Sequence, residues 1–402
     1  MKSEWKELSL GEITELVIDY RGKTPKKLGG DWSESGYRAL SAKNIKTGHI
    51  VQPDTIRFVS EEMYHKWMKD EIQQGDIIIT SEAPFGQILY WDSEEKIVLS
   101  QRLFGVRVKN EYDSRFVYYY MTTPDFQGEM DGRATGTTVV GLRQPELMKC
   151  VVHCPALETQ KKIATILSSI DEKISMNERI NENLLVQAQT IKKQWVATNE
   201  AGYEMLPLAE VATINPDTYS PKEAWEFVNY LDTSSITDGF VADIQHIVPS
   251  SEKLPSRARR KVAAGDVLFS TVRPNQNHFG IISDPLPNML ASTGFADIRS
   301  KNPLVCNELI YLCLTEGDFI EKMQQLAEQS TSTFPSIKPS DLGACQIPCP
   351  KDGSSNVFND TLKTLFSLIA ANFRENNSLG AMRDALLPKL MSGELDVSDI
   401  DL

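Results

Sequence analysis

The chain has 402 residues, 41% of them apolar and 24% charged, with 23 Gly, 20 Pro, six Cys and a formal net charge of −13. This is the balance of a folded polypeptide of two or three domains, and it excludes disordered, collagen-like and membrane-embedded chains. The acidity argues against a protein that coats nucleic acid non-specifically, while leaving room for a local basic face.

Residues 1–154 are short runs rich in Ile, Val, Phe and Tyr, broken by Gly, Pro and Asp, which predicts strands with a few short helices. Met1–Leu8 lacks the apolar core of a signal peptide. The sparse cysteines point to a reduced, cytoplasmic setting, with no membrane contact. At Pro155 the pattern changes. Proline suits a first helical turn and Glu158 complements the helix dipole. From Ile163 the apolar residues follow a heptad frame. Ile163, Ile170, Asn177, Leu184 and Ile191 hold one seam position, and Ile166 and Ile180 hold a second. With no Gly or Pro before Gly202, the spacing predicts a helix of ~40 residues, or ~60 Å.

Residues 201–351 then repeat the first segment. Leu8–Ile13 reappears as Leu206–Val211, Gly75-Asp76 as Gly265-Asp266, Ser100–Asn110 as Ser292–Asn302 with Arg107 against Arg299, and Cys150–Pro155 as Cys345–Pro350. The offset stays within about 190–199 residues, so the protein is two diverged copies of one unit. Residues 352–402 end in the same heptad frame, with Leu362, Ile369, Asn376 and Leu390 in the first seam position and Leu365, Leu379 and Leu386 in the second. Gly380 and Pro388 predict a weakened or kinked second helix. Asn177 and Asn376 fall at equivalent positions, where they either fix the register of a helix pair or stand as partly exposed polar residues. Two amphipathic helices per chain solve their burial by packing on each other. The predicted fold is therefore α+β: two similar mixed α/β domains joined by two long antiparallel helices, a pseudo-two-fold dumbbell.

The run Pro155-Ala156-Leu157-Glu158-Thr159-Gln160-Lys161-Lys162-Ile163-Ala164 resembles the start of the central helix in specificity subunits of type I restriction-modification enzymes. Leu10-Gly11-Glu12-Ile13, Tyr20–Pro25, Gly75-Asp76-Ile77-Ile78 and Leu386–Leu395 are similar to the same family, and the likeness covers nearly the whole chain. The second copy departs from it, with Lys351–Asn356 replacing the Pro-x-Leu-Glu-x-Gln helix opening. The resemblance implies a non-catalytic subunit that binds double-stranded DNA. Residues 1–154 and 201–351 would be target recognition domains for the two halves of a split site. Residues 155–200 and 352–402 would be spacer helices that also dock two methyltransferase subunits. It implies no cofactor on this chain: S-adenosylmethionine, ATP and magnesium belong to the methyltransferase and translocase-nuclease partners.

Charge does not single out either domain. Residues 1–154 carry 20 Lys/Arg against 23 Asp/Glu, and residues 201–351 carry 12 against 18. Local clusters do occur, Arg21, Lys23, Lys26 and Lys27 in one copy and Arg257, Arg259, Arg260 and Lys261 in the other, and they are candidates for phosphate contact. Base contacts are expected from polar loops. In the first copy these are Lys43-Asn44, Thr80-Ser81, Gln101-Arg102 and the stretch from Thr135 through Thr137, Thr138 and Arg143. In the second they are Arg273, Asn275, Asn277, Thr293 and the stretch through Ser332, Thr333 and Lys338.

Other motifs fail on their own terms. Cys150-x-x-x-Cys154 with His153 invites a zinc reading, but strand residues four apart lie ~13 Å from each other, so core cysteines and no metal site are expected. Gly22-Lys23-Thr24 lacks the upstream glycine of a phosphate loop. Asn215-Pro216-Asp217-Thr218-Tyr219 only echoes a methyltransferase motif, and no catalytic residues are expected. A self-contained DNA-modifying enzyme and a twin-domain protein-binding adaptor are the competing functions.

Overall fold

Strand periodicity sets the architecture of each half. In the computed structural model, which describes residues 5–136, 139–330, 335–398 and 400, the chain divides into two compact units, Met1–Ile174 with Asn377–Leu402, and Ser175–Asn376. The changes of secondary structure fall where the sequence places them, with strand Val151–Cys154 followed by helix Leu157–Thr198, and strand Gln346–Pro350 followed, after a short turn, by helix Asn356–Met391. Each long helix is divided between the units. No described helix is long and apolar enough to cross a membrane.

In the first unit, strand Leu103–Val108 lies between Thr14–Ile18 and Ile77–Thr80, and Ile88–Tyr90 completes an antiparallel sheet. Alternate side chains point to opposite faces. Phe104, Val106, Ile77 and Ile79 enter one core, which also takes in helix Ser114–Met121. Leu103, Ile78, Ile18 and Leu89 enter another, closed by Tyr64 and Trp67 of helix Glu61–Trp67. The second unit repeats the plan. Phe295–Ser300 lies between Ala212–Ile214 and Asp266–Ser270, with Phe279–Ile282 outermost. Val267 and Phe269 face one core, and Leu268 and Phe295 the other. The two-stranded pairs Lys6–Ser9 with Val151–Cys154 and Tyr203–Pro207 with Gln346–Pro350 also correspond. The second unit adds strand Ala258–Lys261 to its third sheet.

The repeated Gly-Asp and Arg residues explain themselves as one contact made twice. Arg107 donates from Nε and Nη2 to the two carboxylate oxygens of Asp76 at 2.9 and 2.8 Å, and Arg299 does the same to Asp266 at 2.7 and 2.8 Å. Each aspartate also accepts a backbone N–H, from Gln73 or Ala263.

One position in this repeated framework differs sharply. A Cβ on Gly105 would lie 2.7 Å from the Ile72 side chain, so glycine is required there. Its counterpart is Asp297, fully buried, with neither carboxylate oxygen hydrogen-bonded among the described residues. Burial, and then the neighbouring Asp266 charge, push its carboxyl well above the usual range, against the pull of Arg299 and Arg260. The folded state thus holds this proton to a higher pH than the unfolded chain does. Stability falls as pH rises from the normal carboxylate range towards the folded value. Asp297→Asn should therefore stabilise the second unit by about 1–3 kcal/mol at pH 8. The gain should shrink towards pH 4, as followed by thermal melts across that range. A gain independent of pH would count against a charged Asp297.

The first long helix meets its expected length at 42 residues, and the second spans 36. In the first unit Ile163, Ile170 and Leu390 are buried, joined by Leu167 and Met391. Arg383 Nη1 and Tyr119 Oη both donate to Asp171, tying the two helices to the globular part. In the second unit Asn177 is 1% exposed and donates to Asn376 Oδ1 at 2.8 Å and Glu375 Oε2 at 2.7 Å. Asn372 donates to Asn181 at 2.7 Å, and Trp195 stacks on Phe358 with centroids 4.4 Å apart. As one helix advances, its partner retreats, so the pairing is antiparallel. Leu362 is buried in this unit, and Leu184, Ile191 and Ile369 are half-buried.

One helix expectation is corrected. Ile180, assigned to the second seam position, is 39% exposed, because a helix of 3.6 residues per turn drifts ~20° per heptad off a strict seven-residue frame. Ala188 and Leu185 face the core instead. The second helix runs without interruption through Gly380 and Pro388. Pro388 falls in its last turn, where it gives up one N–H donation to the Asp384 carbonyl and little helix follows it.

The replaced helix opening has a structural substitute. Gln160 is buried, accepts the Asp113 N–H and donates to the Pro155 carbonyl, anchoring the first long helix. Asn359, at the equivalent position, donates to the Leu304 carbonyl. Cys150, Cys154 and Cys349 are buried core residues with free thiols, and burial pushes the Cys150 and Cys154 thiols up to about 11 and about 12.

Candidate nucleic-acid interface

In each unit three separate stretches converge just past the end of a central strand. In the first, Ser81 follows strand Ile77–Thr80. It accepts the Leu142 N–H through its carbonyl at 3.0 Å and donates its own N–H to the Arg102 carbonyl at 2.8 Å. Bridges Glu82↔Gly141 and Thr135↔Gly141 hold the loop around residues 135–143 against this strand end. Arg21 Nη1 reaches the Leu142 carbonyl at 3.4 Å, and the Ala42 N–H donates to the Gln101 carbonyl at 3.1 Å. Gln101, Arg102, Thr135, Val139, Val140, Arg143 and Lys43 present an exposed polar and apolar mixture. Glu82 and Arg102 form an ion pair at 3.4 Å.

The second unit builds the same junction. Thr271 accepts the Ile337 N–H at 2.9 Å and donates its own to the Gly294 carbonyl at 2.8 Å. Val272 bridges Ser336, the Arg273 N–H donates to the Pro335 carbonyl, and the Thr293 N–H donates to the Arg257 carbonyl at 2.8 Å. Arg257, Arg273, Asn275, Thr293 and Lys338 are exposed. Among the described residues the chemistry on offer is hydrogen bonding and short apolar contact, with no cluster of metal-ligating groups, which suits groove-edge recognition.

Residues 2–186 match the family described as the type I restriction modification DNA specificity domain. The chain is similar to this family across its first half. The specificity subunit of type I restriction enzyme MjaIX from Methanocaldococcus jannaschii is 24% identical over 350 residues, 81% of this chain and 79% of that one. The MjaVIII specificity subunit of the same organism is 27% identical over 187 residues, 45% of this chain and 43% of its own length. Among solved structures, the type I restriction-modification S subunit from M. genitalium shares the fold, with a TM-score of 0.56 at 16% identity and 96% of each chain covered.

Burial sorts the candidate readers. Asn44, Thr80 and Ser81 are fully buried and cannot meet a base edge as they stand. Asn44 accepts from Ser41 and donates to Thr55, folding its own turn, and Thr80 Oγ1 accepts the Gln87 N–H. Asn277 is half-buried in a left-handed turn. The basic clusters are also largely committed. Arg21 pairs with Asp19 and lies 4.0 Å over the Phe104 ring. Lys23 donates to the Trp67 carbonyl over the Tyr20 ring, and burial lowers its affinity for its proton. Lys27 caps the Gly22 carbonyl. Arg259 caps Ser256, Arg260 faces Asp297, and Lys261 pairs with Glu223. Lys26 and Arg257 remain exposed. Thr137, Thr138, Ser332 and Thr333 lie outside the described residues. Sequence reasoning missed Glu82 and Val272, which the repeat alignment places one residue beyond the chosen Thr80-Ser81.

Proposed function

We propose that this chain is the non-catalytic DNA-reading subunit of a type I restriction-modification complex, acting in the cytoplasm. Each unit reads one half of a bipartite, asymmetric target in double-stranded DNA. The paired helices set the spacer and dock two methyltransferase subunits, which carry S-adenosylmethionine, and translocase-nuclease subunits using ATP and magnesium join them. The observation that carries this reading is the twin junction: one backbone framework, made twice, bearing different exposed side chains. Identical frameworks give each reader the same reach, and different side chains give it a different base preference. Held at fixed separation, two weak readers reinforce each other only on sites with the right gap.

The test is to express the chain with its methyltransferase partners and map methylated positions genome-wide by single-molecule sequencing. The expected result is two dissimilar half-sites separated by a gap of constant length. A continuous or palindromic motif, or none, would reject the reading.

A further inference from the structure

The two junctions superpose in hydrogen bonding but not in side chains, and this identifies a reader. Ser81 and Thr271 make equivalent bonds to the carbonyls of Arg102 and Gly294, and Glu82 and Val272 make equivalent bridges to Gly141 and Ser336. An exposed charge pair in the first unit therefore stands where the second has Val272 and Gly294. The pair contributes little to folding, since both side chains are well exposed and exposed pairs are weak. Arg102 nevertheless keeps a long side chain at a φ of +65°, where glycine would be the unstrained choice. Strain of this kind gathers at ligand clamps. Glu82 touches Nε, and the terminal nitrogens of Arg102 make no hydrogen bond among the described residues. They are the two donors a guanine edge requires. The second unit cannot host the same device without adjustment: a Cβ on Gly294 would lie 2.7 Å from Thr233 Oγ1.

We infer that Arg102 specifies a guanine in the half-site of the first unit, forking its terminal nitrogens onto O6 and N7, with Glu82 as the positioning residue that holds the guanidinium through Nε. This rests on the DNA-reading function proposed above. Val272 and Gly294 give the second unit a different preference at the matching position.

The experiment compares methylation motifs of the intact complex carrying the parent chain, Arg102→Ala, Arg102→Gln, Glu82→Gln or Glu82→Asp. Arg102→Ala should lower the preference for guanine at one position of one half-site by about 5- to 150-fold. Arg102→Gln should shift that position towards adenine. Glu82→Gln should weaken the same position without changing its base, and Glu82→Asp should restore it. The unaltered second half-site is the internal control for folding. A split parental motif that Arg102→Ala leaves unchanged, or alters in both halves, overturns the assignment alone. A parent with no split motif overturns the DNA-reading function and this assignment with it.

Discussion

Replacing Arg299 with alanine should destabilise the second unit by about 3–5 kcal/mol. Arg299 is the bidentate partner of Asp266, whose side chain is fully buried, and it also reaches Asp217 at 3.0 Å. Its loss strands one buried carboxylate and removes a counter-charge from the neighbouring Asp297. Since a domain is stable by only ~5–15 kcal/mol, the second unit should then melt well before the first. Calorimetry of the full chain would show the early transition. Arg107→Ala should have a smaller effect in the first unit, because Gly105 stands where the second unit has Asp297 and Asp76 is the one buried carboxylate that loses its counter-charge. Adding Asp266→Asn to Arg299→Ala should recover part of the loss. An Arg299→Ala protein within 1 kcal/mol of the parent would show that the repeated Arg–Asp pair is not a structural requirement.

The second large effect concerns the asparagine pair, where the expected outcome depends on whether one or both partners change. Asn177→Leu alone removes the donor amide that buried Asn177 gives to Asn376 and Glu375, a cost of about 1–3 kcal/mol. Changing Asn376 to leucine as well replaces both polar groups by apolar ones of similar size, which should be neutral or stabilising. Urea titrations of the two single variants and the double variant give the coupling directly. The double variant, though stable, no longer penalises a slip of one helix along the other. Under the proposed function, its methylated sites should show a broadened gap, whereas the parent holds one length. Additive single-variant effects together with an unbroadened gap would deny the pair any role in register.

Much of the fold was legible before the coordinates. The duplication, the strand-to-helix change near residue 155, the length of the first helix and the equivalent seam positions of Asn177 and Asn376 all follow from periodicity, which is a local property of the chain. The candidate interface was legible only by region. Residues near 80, 101 and 140 were chosen for loop polarity, and the structure brings them together, but polarity could not tell Asn44, Thr80 and Ser81, which are buried, from Arg102 and Arg143, which face outward. The same ambiguity misled the basic clusters, since Lys23 and Lys261 spend their charge on a carbonyl and a carboxylate brought from 44 and 38 residues away.

The sequence by itself determined what repeats: a hydrophobic period of two or of 3.6–3.5 survives divergence because burial rewards it at every turn. Tertiary structure alone decided which polar side chains are available. Hydrogen-bonding partners distant in sequence are chosen by how sheets and loops close, and the burial of Asp297 where the first copy has Gly105, or the pairing of Glu82 with Arg102, depends on that closure rather than on neighbours along the chain.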